Sequence, residues 1–273
     1  MTITEALRSG GFQIGRRDAV LLLMAAMGCS KEFIHLNPQA KVNNPQIYQS
    51  YIERCKNGEP IQYIIGEWDF FGHTFHVDKR ALIPRPETEL LVEEALKVLQ
   101  PGSNVLDMCT GTGCIAISIA LEDKQYYVTG VDISPDVLSL AEKNALRHKV
   151  ALYLVRSNLF ESMHGFFDVI VSNPPYITTA EMEELPRNVA DYEPHLALHG
   201  GADGMDIYRR LVFESIIHLK AGGYLFLEIG SPEVAEIMKT RGFEDVEIIN
   251  DYAGRPRIIK GRKPVHFRYV LYD

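Results

Sequence analysis

Cysteine is scarce in this 273-residue chain, and the four present (Cys29, Cys55, Cys109, Cys114) include no C-x-x-C spacing. Such usage implies neither a disulfide framework nor a zinc site, and points to reduced thiols in a cytoplasmic protein. Positive charge is also in short supply: 28 basic residues against 36 acidic ones leave a net charge of −8. A large nucleic-acid footprint normally shows as a basic stripe, so direct nucleic-acid binding is not expected. Met1-Thr2-Ile3-Thr4-Glu5 has no basic stretch leading into an apolar core, so no signal peptide is expected. The longest apolar run, Ala19 to Gly28, is too short to cross a bilayer and reads as a buried helix. Internal repeats and low-complexity segments are lacking too. What is present suits one large α/β domain or two smaller ones, at about 150 residues per domain.

The first part of the chain, residues 1–60, reads as a small helical bundle suited to binding rather than catalysis. Asp18 is placed to cap the run from Ala19, and Pro45 opens a helix that closes at Asn57-Gly58. Ile47, Tyr48, Tyr51, Ile52 and Cys55 recur at three- and four-residue steps, which predicts one buried stripe. Residues 61–80 turn aromatic and β-branched, with Gly72 at a turn, and read as a β-hairpin linker. Pro84-Arg85-Pro86-Glu87-Thr88-Glu89 then predicts a helix running to about Leu99. Within residues 81–273, strands are predicted at 104–108, 127–131, 151–155, 167–172, 223–229, 245–250 and near 256–270. Helices are predicted between them at 113–121, 135–147, 205–219 and 232–241. Alternation of this kind gives a parallel sheet covered on both faces, with ligands outside the carboxyl ends of its strands.

Two of those strand ends carry cofactor chemistry. The first runs Asp107-Met108-Cys109-Thr110-Gly111-Thr112-Gly113 into a helix, where glycines let backbone approach a ligand. It lacks the G-x-G-x-x-G of dinucleotide sites, and Asp107 would serve a pyrophosphate poorly. A cofactor carrying a sulfonium and an amino group tolerates that carboxylate. The second strand ends at Asp132, 19 residues after Gly113, where a carboxylate can accept both ribose hydroxyls. Ser157-Asn158-Leu159-Phe160 follows the third strand, with Leu159 placed to pack on an adenine and Asn158 to bond its amine.

The fourth strand ends in Asn173-Pro174-Pro175-Tyr176. Proline cannot continue a sheet ladder, so this sequence offers a side-chain amide oxygen, freed carbonyls and an aromatic face at one point. Two acceptors and a ring suit a planar NH2 group. A proline-rich turn closing a strand fits the same residues. The order Asp107, Gly111/Gly113, Asp132, Asn-Pro-Pro-Tyr is similar to that of S-adenosylmethionine-dependent amino methyltransferases.

More specifically, three stretches resemble the peptide chain release factor N5-glutamine methyltransferases, the PrmC/HemK family: Gly58–Gly66, Leu82–Glu89 and Tyr192–Gly204. Glu228-Ile229-Gly230 and Asp251–Arg255 extend the likeness, which runs from about residue 58 to 262. The resemblance implies a Rossmann-like class I methyltransferase domain behind a helical N-terminal domain and a β-hairpin linker. It implies S-adenosyl-L-methionine as cofactor, and as substrate the glutamine in the Gly-Gly-Gln motif of class-I release factors. By position, Asp107, Cys109, Thr110, Gly111, Thr112, Gly113, Asp132, Asn158, Leu159 and Asn173 carry over as cofactor contacts. Asn173, Pro174, Pro175 and Tyr176 carry over as the glutamine clamp, with Tyr176 packing on the amide. A cytoplasmic monomer without membrane contact is expected.

Three positions depart from the family pattern. Cys109 stands where glycine is common, Asn158 where aspartate is, and Glu233 where glutamine is. Cys109 is tolerable in the loop if its φ is negative. Asn158 keeps an acceptor oxygen and loses charge. A nucleic-acid adenine methyltransferase would use the same clamp but needs a basic face or a base-flipping region. A non-catalytic scaffold binding cofactor and release factor is a third reading. His195 and His199 have a spacing that metal ligands use, but no third ligand is apparent and no metal is expected. Residues 177–203 should wall the substrate cleft, and the basic run 255–263 reads as an edge strand with solvated charges.

Overall fold

The computed structural model describes residues 1–266. Helix α1 (Ile3–Ile14) begins with a capping box, in which Glu5 N donates to Thr2 Oγ1 and Thr2 N donates to Glu5 Oε2. α2 (Arg16–Met27), α3 (Lys31–Leu36), α4 (Pro45–Lys56) and α5 (Ile61–Ile65) follow. Asp18 does not cap α2; it lies in the first turn, where its charge favours the helix N-terminus, and Gly15 occupies the cap. Ile3, Leu22, Leu23, Tyr48, Ile52 and Ile64 form the bundle core. Gly10 has to be glycine, because a Cβ there would sit 2.1 Å from Tyr48 Oη. Ile47 leaves the predicted stripe and is 43% exposed, a position that an amphipathic pattern on one helix cannot assign.

Ile61–Ile65, predicted as part of the hairpin, is helical. Its β-branched composition favours a strand, but Ile64 is drawn into the bundle core and Gly66 closes the turn in the left-handed region. The hairpin itself is β1 (Glu67–Phe70) and β2 (His73–His76). Phe71 and Gly72 both have positive φ, as a two-residue hairpin turn of this hand requires. Phe70 and Phe75 are fully buried against Leu91, Val92 and Ile117, so the hairpin packs into the sheet domain's core. Burial of each ring stabilises that contact by roughly 1.5–3 kcal/mol.

The predicted helix from Pro84 starts as a 3-10 turn at Pro86–Thr88 and continues as α6 (Glu89–Leu96). Then come β3 (Asn104–Met108), α7 (Cys114–Glu122), β4 (Tyr127–Asp132), α8 (Pro135–His148), β5 (Tyr153–Arg156) and β6 (Phe167–Ser172). After the short helices α9 (Thr179–Glu183) and α10 (Arg187–Ala190) lie α11 (Asp206–His218), β7 (Leu219–Glu228), α12 (Val234–Thr240), β8 (Glu244–Asn250) and β9 (Pro256–Arg262). Strand order is β5-β4-β3-β6-β7-β9-β8. The first five strands are parallel, and β9 runs antiparallel to both β7 and β8. The fold is therefore doubly wound with one reversed strand, and the order reverses direction at β3, where such sheets bind ligands.

The basic tail does not form an edge. β9 lies inside the sheet, and Arg257, Lys260 and Arg262 pair with Asp251, Glu247, and Glu244 and Asp245. The part of the predicted last strand beyond residue 266 falls outside the described residues. Among the described residues no helix is long and apolar enough to cross a membrane.

One buried side chain fastens the hairpin to the sheet domain. Asn144 of α8 accepts from His76 N at 2.7 Å and donates to His76 O at 3.0 Å and Thr112 O at 2.9 Å. It thus joins β2 to the loop after β3. Asn144→Ala strands three buried backbone groups and should destabilise the protein by roughly 2–4 kcal/mol. Urea unfolding of the variant against wild type measures this, and a loss below about 1 kcal/mol would show that water or a neighbour takes over those groups.

Candidate active site

The loop after β3 is held from beneath by Asp107. This carboxylate is fully buried, and its Oδ2 accepts from Thr110 Oγ1 at 2.6 Å and Ala116 N at 3.2 Å. Its other oxygen has no hydrogen-bond partner among the described residues, and burial pushes the group up to about 7 against the pull of those two donors. Asp107 is not part of the cavity wall. It buttresses the loop, and sequence position alone could not separate that role from cofactor contact.

Above it, Cys109, Gly111 and Gly113 take φ of +61°, +56° and +79°. Cys109 therefore does not have the negative φ that would make its Cβ easy to accommodate. Left-handed backbone costs an L-residue on the order of 1–2 kcal/mol. Leu159, after β5, is held the same way at +52°. Such strain at a cavity rim is typical of functional loops. Gly113 lies behind the rim, where a Cβ would approach Ala141 Cβ to 3.2 Å.

Cys109, Thr110, Gly111 and Thr112 line a cavity of about 270 Å³ at the carboxyl ends of β3, β4 and β6. Asp132 faces them at the end of β4. Its Oδ2 accepts from Gly111 N at 3.2 Å and its Oδ1 from Ser134 N at 3.0 Å. A carboxylate offers about four lone-pair sites, so two remain for a diol. Burial raises its pKa, and the backbone donors of Ser134 and Gly111 oppose that rise. Leu159 and Asn158 complete this end. Asn158 is already engaged: its Oδ1 accepts from Arg210 at 3.0 Å and its Nδ2 donates to Glu161 at 2.6 Å.

Asn173 and Pro175 line the same cavity, whereas Pro174 and Tyr176 do not. The Tyr176 ring packs instead against Gly230, where a Cβ would sit 2.5 Å from its Cδ2. One side of the half-buried ring is therefore occupied by Gly230. Asn173 Nδ2 donates to Thr88 Oγ1 at 3.2 Å, and Thr88 donates to Glu228 Oε2 at 2.6 Å.

Residues 194–199 wall the cavity through Pro194, Leu196, Ala197 and His199. Glu193, 3% exposed, anchors that wall by accepting from Arg85 Nη2 at 2.5 Å and Ile83 N at 3.2 Å. His199 pairs with the Thr179 hydroxyl at 2.9 Å, and His195 starts a 3-10 turn. Among the described residues no three His, Cys, Asp or Glu side chains cluster as metal ligands would. Arg80, Arg85 and Thr88 also line the cavity. Arg85 and Thr88 fall in the Leu82–Glu89 stretch noted for family likeness and Arg80 lies outside it; no local pattern marks any of the three as a site residue.

Two family models match the chain: the PrmC N-terminal domain over residues 2–66 and the methyltransferase small domain over residues 86–190. A release factor glutamine methyltransferase from Koribacter versatilis is 41% identical over 91% of this chain and 91% of its own length. Another with the same name, from Geobacter sulfurreducens, is 37% identical over 94% and 92%. Among solved structures, a methyltransferase from Pyrococcus furiosus superposes with a TM-score of 0.55 at 23% identity, covering 71% of this chain and 91% of that one. A 16S rRNA N2 G1207 methyltransferase from T. thermophilus, in complex with AdoMet and guanosine, gives 0.53 at 18%, over 72% and 49%. These two structures speak to the fold alone.

Asp107 makes stability depend on pH in a direction that can be measured. Its folded-state pKa of about 7 exceeds its ordinary 3.8, so between these values the folded chain holds a proton the unfolded chain has lost. That contribution to stability therefore falls as pH rises from about 4 to about 7. Asp107→Asn keeps an acceptor for Thr110 and Ala116 but cannot titrate. Relative to wild type, the variant should gain on the order of 1–4 kcal/mol between about pH 5 and about pH 8. Urea midpoints across that range test it, and a constant difference would show that Asp107 titrates normally.

Proposed function

The chain belongs to the release factor glutamine methyltransferase family, and from that premise we propose that it methylates the side-chain amide nitrogen, N5, of the glutamine in the Gly-Gly-Gln motif of class-I release factors. S-adenosyl-L-methionine, when bound, supplies a methyl group on a positively charged sulfur. The residues present fit that cofactor. Asp132 has two free lone-pair sites for the ribose hydroxyls, and the 109–113 loop brings backbone rather than side-chain bulk to the cavity. Leu159 would pack on the adenine, and Asn158 Oδ1, which accepts one bond from Arg210, would have a lone pair left for the adenine amine.

A single observation carries the reading: Asn173 lines the same cavity as Asp132, with its own NH2 already committed to Thr88. Its Oδ1 is thereby left to accept a hydrogen of the substrate's NH2. Amide nitrogen is a weak nucleophile because its lone pair is delocalised; fixing the plane of the amide concentrates density on the face presented for reaction. Positioning supplies most of the acceleration, with effective molarities on the order of 10⁵–10⁸ M available to well-oriented groups. The nitrogen's surplus proton passes to water. Tyr176 contributes by packing on Gly230, which holds the tetrapeptide in place.

The helices of residues 1–60, extended by α5, form the substrate-binding domain, and β1–β2 link it to the methyltransferase domain within 81–273. The enzyme works as a cytoplasmic monomer without direct nucleic-acid contact. Pairing of the β9 cations with acidic neighbours supports the last point alone, since it leaves them little free charge for phosphates.

Incubation with tritiated methyl donor and three acceptors tests the activity: release factor, its Gln→Ala loop variant, and adenine-rich DNA or RNA. Label should enter wild-type release factor alone. Label on nucleic acid would replace the substrate class, and none on any acceptor would favour the scaffold. Asn173→Ala should lower turnover by at least about 100-fold while cofactor affinity changes far less. Near wild-type turnover would remove Asn173 from the mechanism.

A further inference from the structure

Three side chains from distant parts of the chain form a line behind the proposed glutamine clamp. Glu228 ends β7, Thr88 closes the 3-10 turn before α6, and Asn173 follows β6. Thr88 donates to Glu228 Oε2 at 2.6 Å, and Asn173 Nδ2 donates to Thr88 Oγ1 at 3.2 Å. Elementary counting fixes the direction of both bonds. An ionised carboxylate can only accept, and a hydroxyl has one hydrogen. With that hydrogen given to Glu228, Thr88 has only lone pairs to offer Asn173. The Asn173 amide must answer with its NH2, which turns its oxygen toward the cavity.

We propose that Glu228, acting through Thr88, is the positioning device that sets the polarity of the Asn173 amide, so that an acceptor and not a donor meets the substrate's NH2. The proposal rests on the glutamine-methylating reading given above. A flipped Asn173 would set NH2 against NH2, leaving donors on both sides unsatisfied. None of the three residues needs to move for the device to work, because Thr88 and Glu228 are buried at 2% exposure each.

Protonation of Glu228 removes the constraint that fixes the line. A carboxylic acid can donate to Thr88 Oγ1, which frees Thr88 to turn its own hydrogen toward Asn173 and lets the amide present its oxygen backward. Several groups face Glu228 and set when this happens. Burial raises its pKa most; Thr88, then Arg257 of β9, lowers it; Glu87 raises it and Arg85 lowers it again. Tyr176 and Tyr208 also face it, and Tyr208 donates to the Glu228 backbone carbonyl at 2.8 Å. The balance leaves Glu228 at about 7. The competent polarity is therefore held above that pH, and methyl transfer declines as pH falls through it.

The test compares wild type with Thr88→Val, Thr88→Ser and Glu228→Gln. Steady-state kinetics on release factor are measured between about pH 6 and about pH 8.5, with the Asn173 side-chain NH2 followed by NMR in 15N-Asn-labelled protein. Thr88→Val keeps the shape of threonine and loses the hydroxyl, so kcat should fall about 10- to 100-fold with KM changed less than about threefold. Thr88→Ser should stay within about threefold of wild type on both. The acid limb of the kcat profile near 7, and the matching inflection of the Asn173 NH2 signal, should both vanish in Glu228→Gln. Wild-type kcat in Thr88→Val would overturn the proposal. So would a serine variant as impaired as the valine one, or an acid limb that survives Glu228→Gln. If wild type fails to label release factor, the glutamine reading falls, and the NMR titration still decides whether Glu228 governs the Asn173 amide.

Discussion

Pro174 and Pro175 bring no N–H to the end of β6, so a neighbouring strand finds no donor there and the ladder ends at Ser172, paired with Met108 on one side and Leu227 on the other. The remaining architecture of the site follows from that stop. Ser172 spends its hydroxyl on Met108 O at 2.6 Å, tying the ends of β6 and β3 together. Asn173 is then the first residue free of the sheet, delivered beside the loop that leaves β3. Beyond Tyr176 the chain turns into the segment that returns as the cavity wall, and a short bridge between Ile177 and His199 closes it.

Buried carboxylates recur around this point, and their partners decide what each does. Glu193 has a guanidinium, and together they pin a wall. Asp107 has two neutral donors and one oxygen without a hydrogen-bond partner among the described residues, and it props a strained loop. Glu228 holds a hydroxyl, with Arg257 nearby, and aligns an amide. Asp132 alone keeps unspent lone pairs facing the cavity. Acidic side chains this close would repel one another if all were ionised in a dry interior, and burial raises Asp107, Glu228 and Asp132 above the usual carboxylate range.

The alternation of strands and helices from β3 to β8 was legible because strands such as β3 and β6 are short apolar runs and helices such as α8 carry a 3.6-residue pattern between them. Asn173 and Asp132 could be read as well, since strand ends in such a sheet point at the ligand. Other features needed three dimensions. Ile61–Ile65 has strand-like residues and became helical because Ile64 belongs to the bundle core. The basic run 255–263 reads locally as an edge strand, yet strand order is a matter of distant pairing that no local window contains. The sign of φ at Cys109 depends on how the turn meets β4, through Thr110 N and Val131 O. Thr88 was hidden most completely: its two partners lie 85 and 140 residues away, and nothing local distinguishes it from a helix-capping threonine.

The position of β9 bears on how the chain is made. β8 emerges from the ribosome first but has no place in the sheet until β9, which is synthesised after it, has inserted against β7. During that interval β7 carries an open edge, and Glu228 at its tip lacks the cover of Arg257. Vectorial folding can complete β3–β7, and with it the Glu228–Thr88–Asn173 line, but Glu228 stays without the Arg257 charge until the hairpin of β8 and β9 arrives as a unit. A nascent enzyme would thus hold the residues that align its substrate before it holds the cation that tunes them.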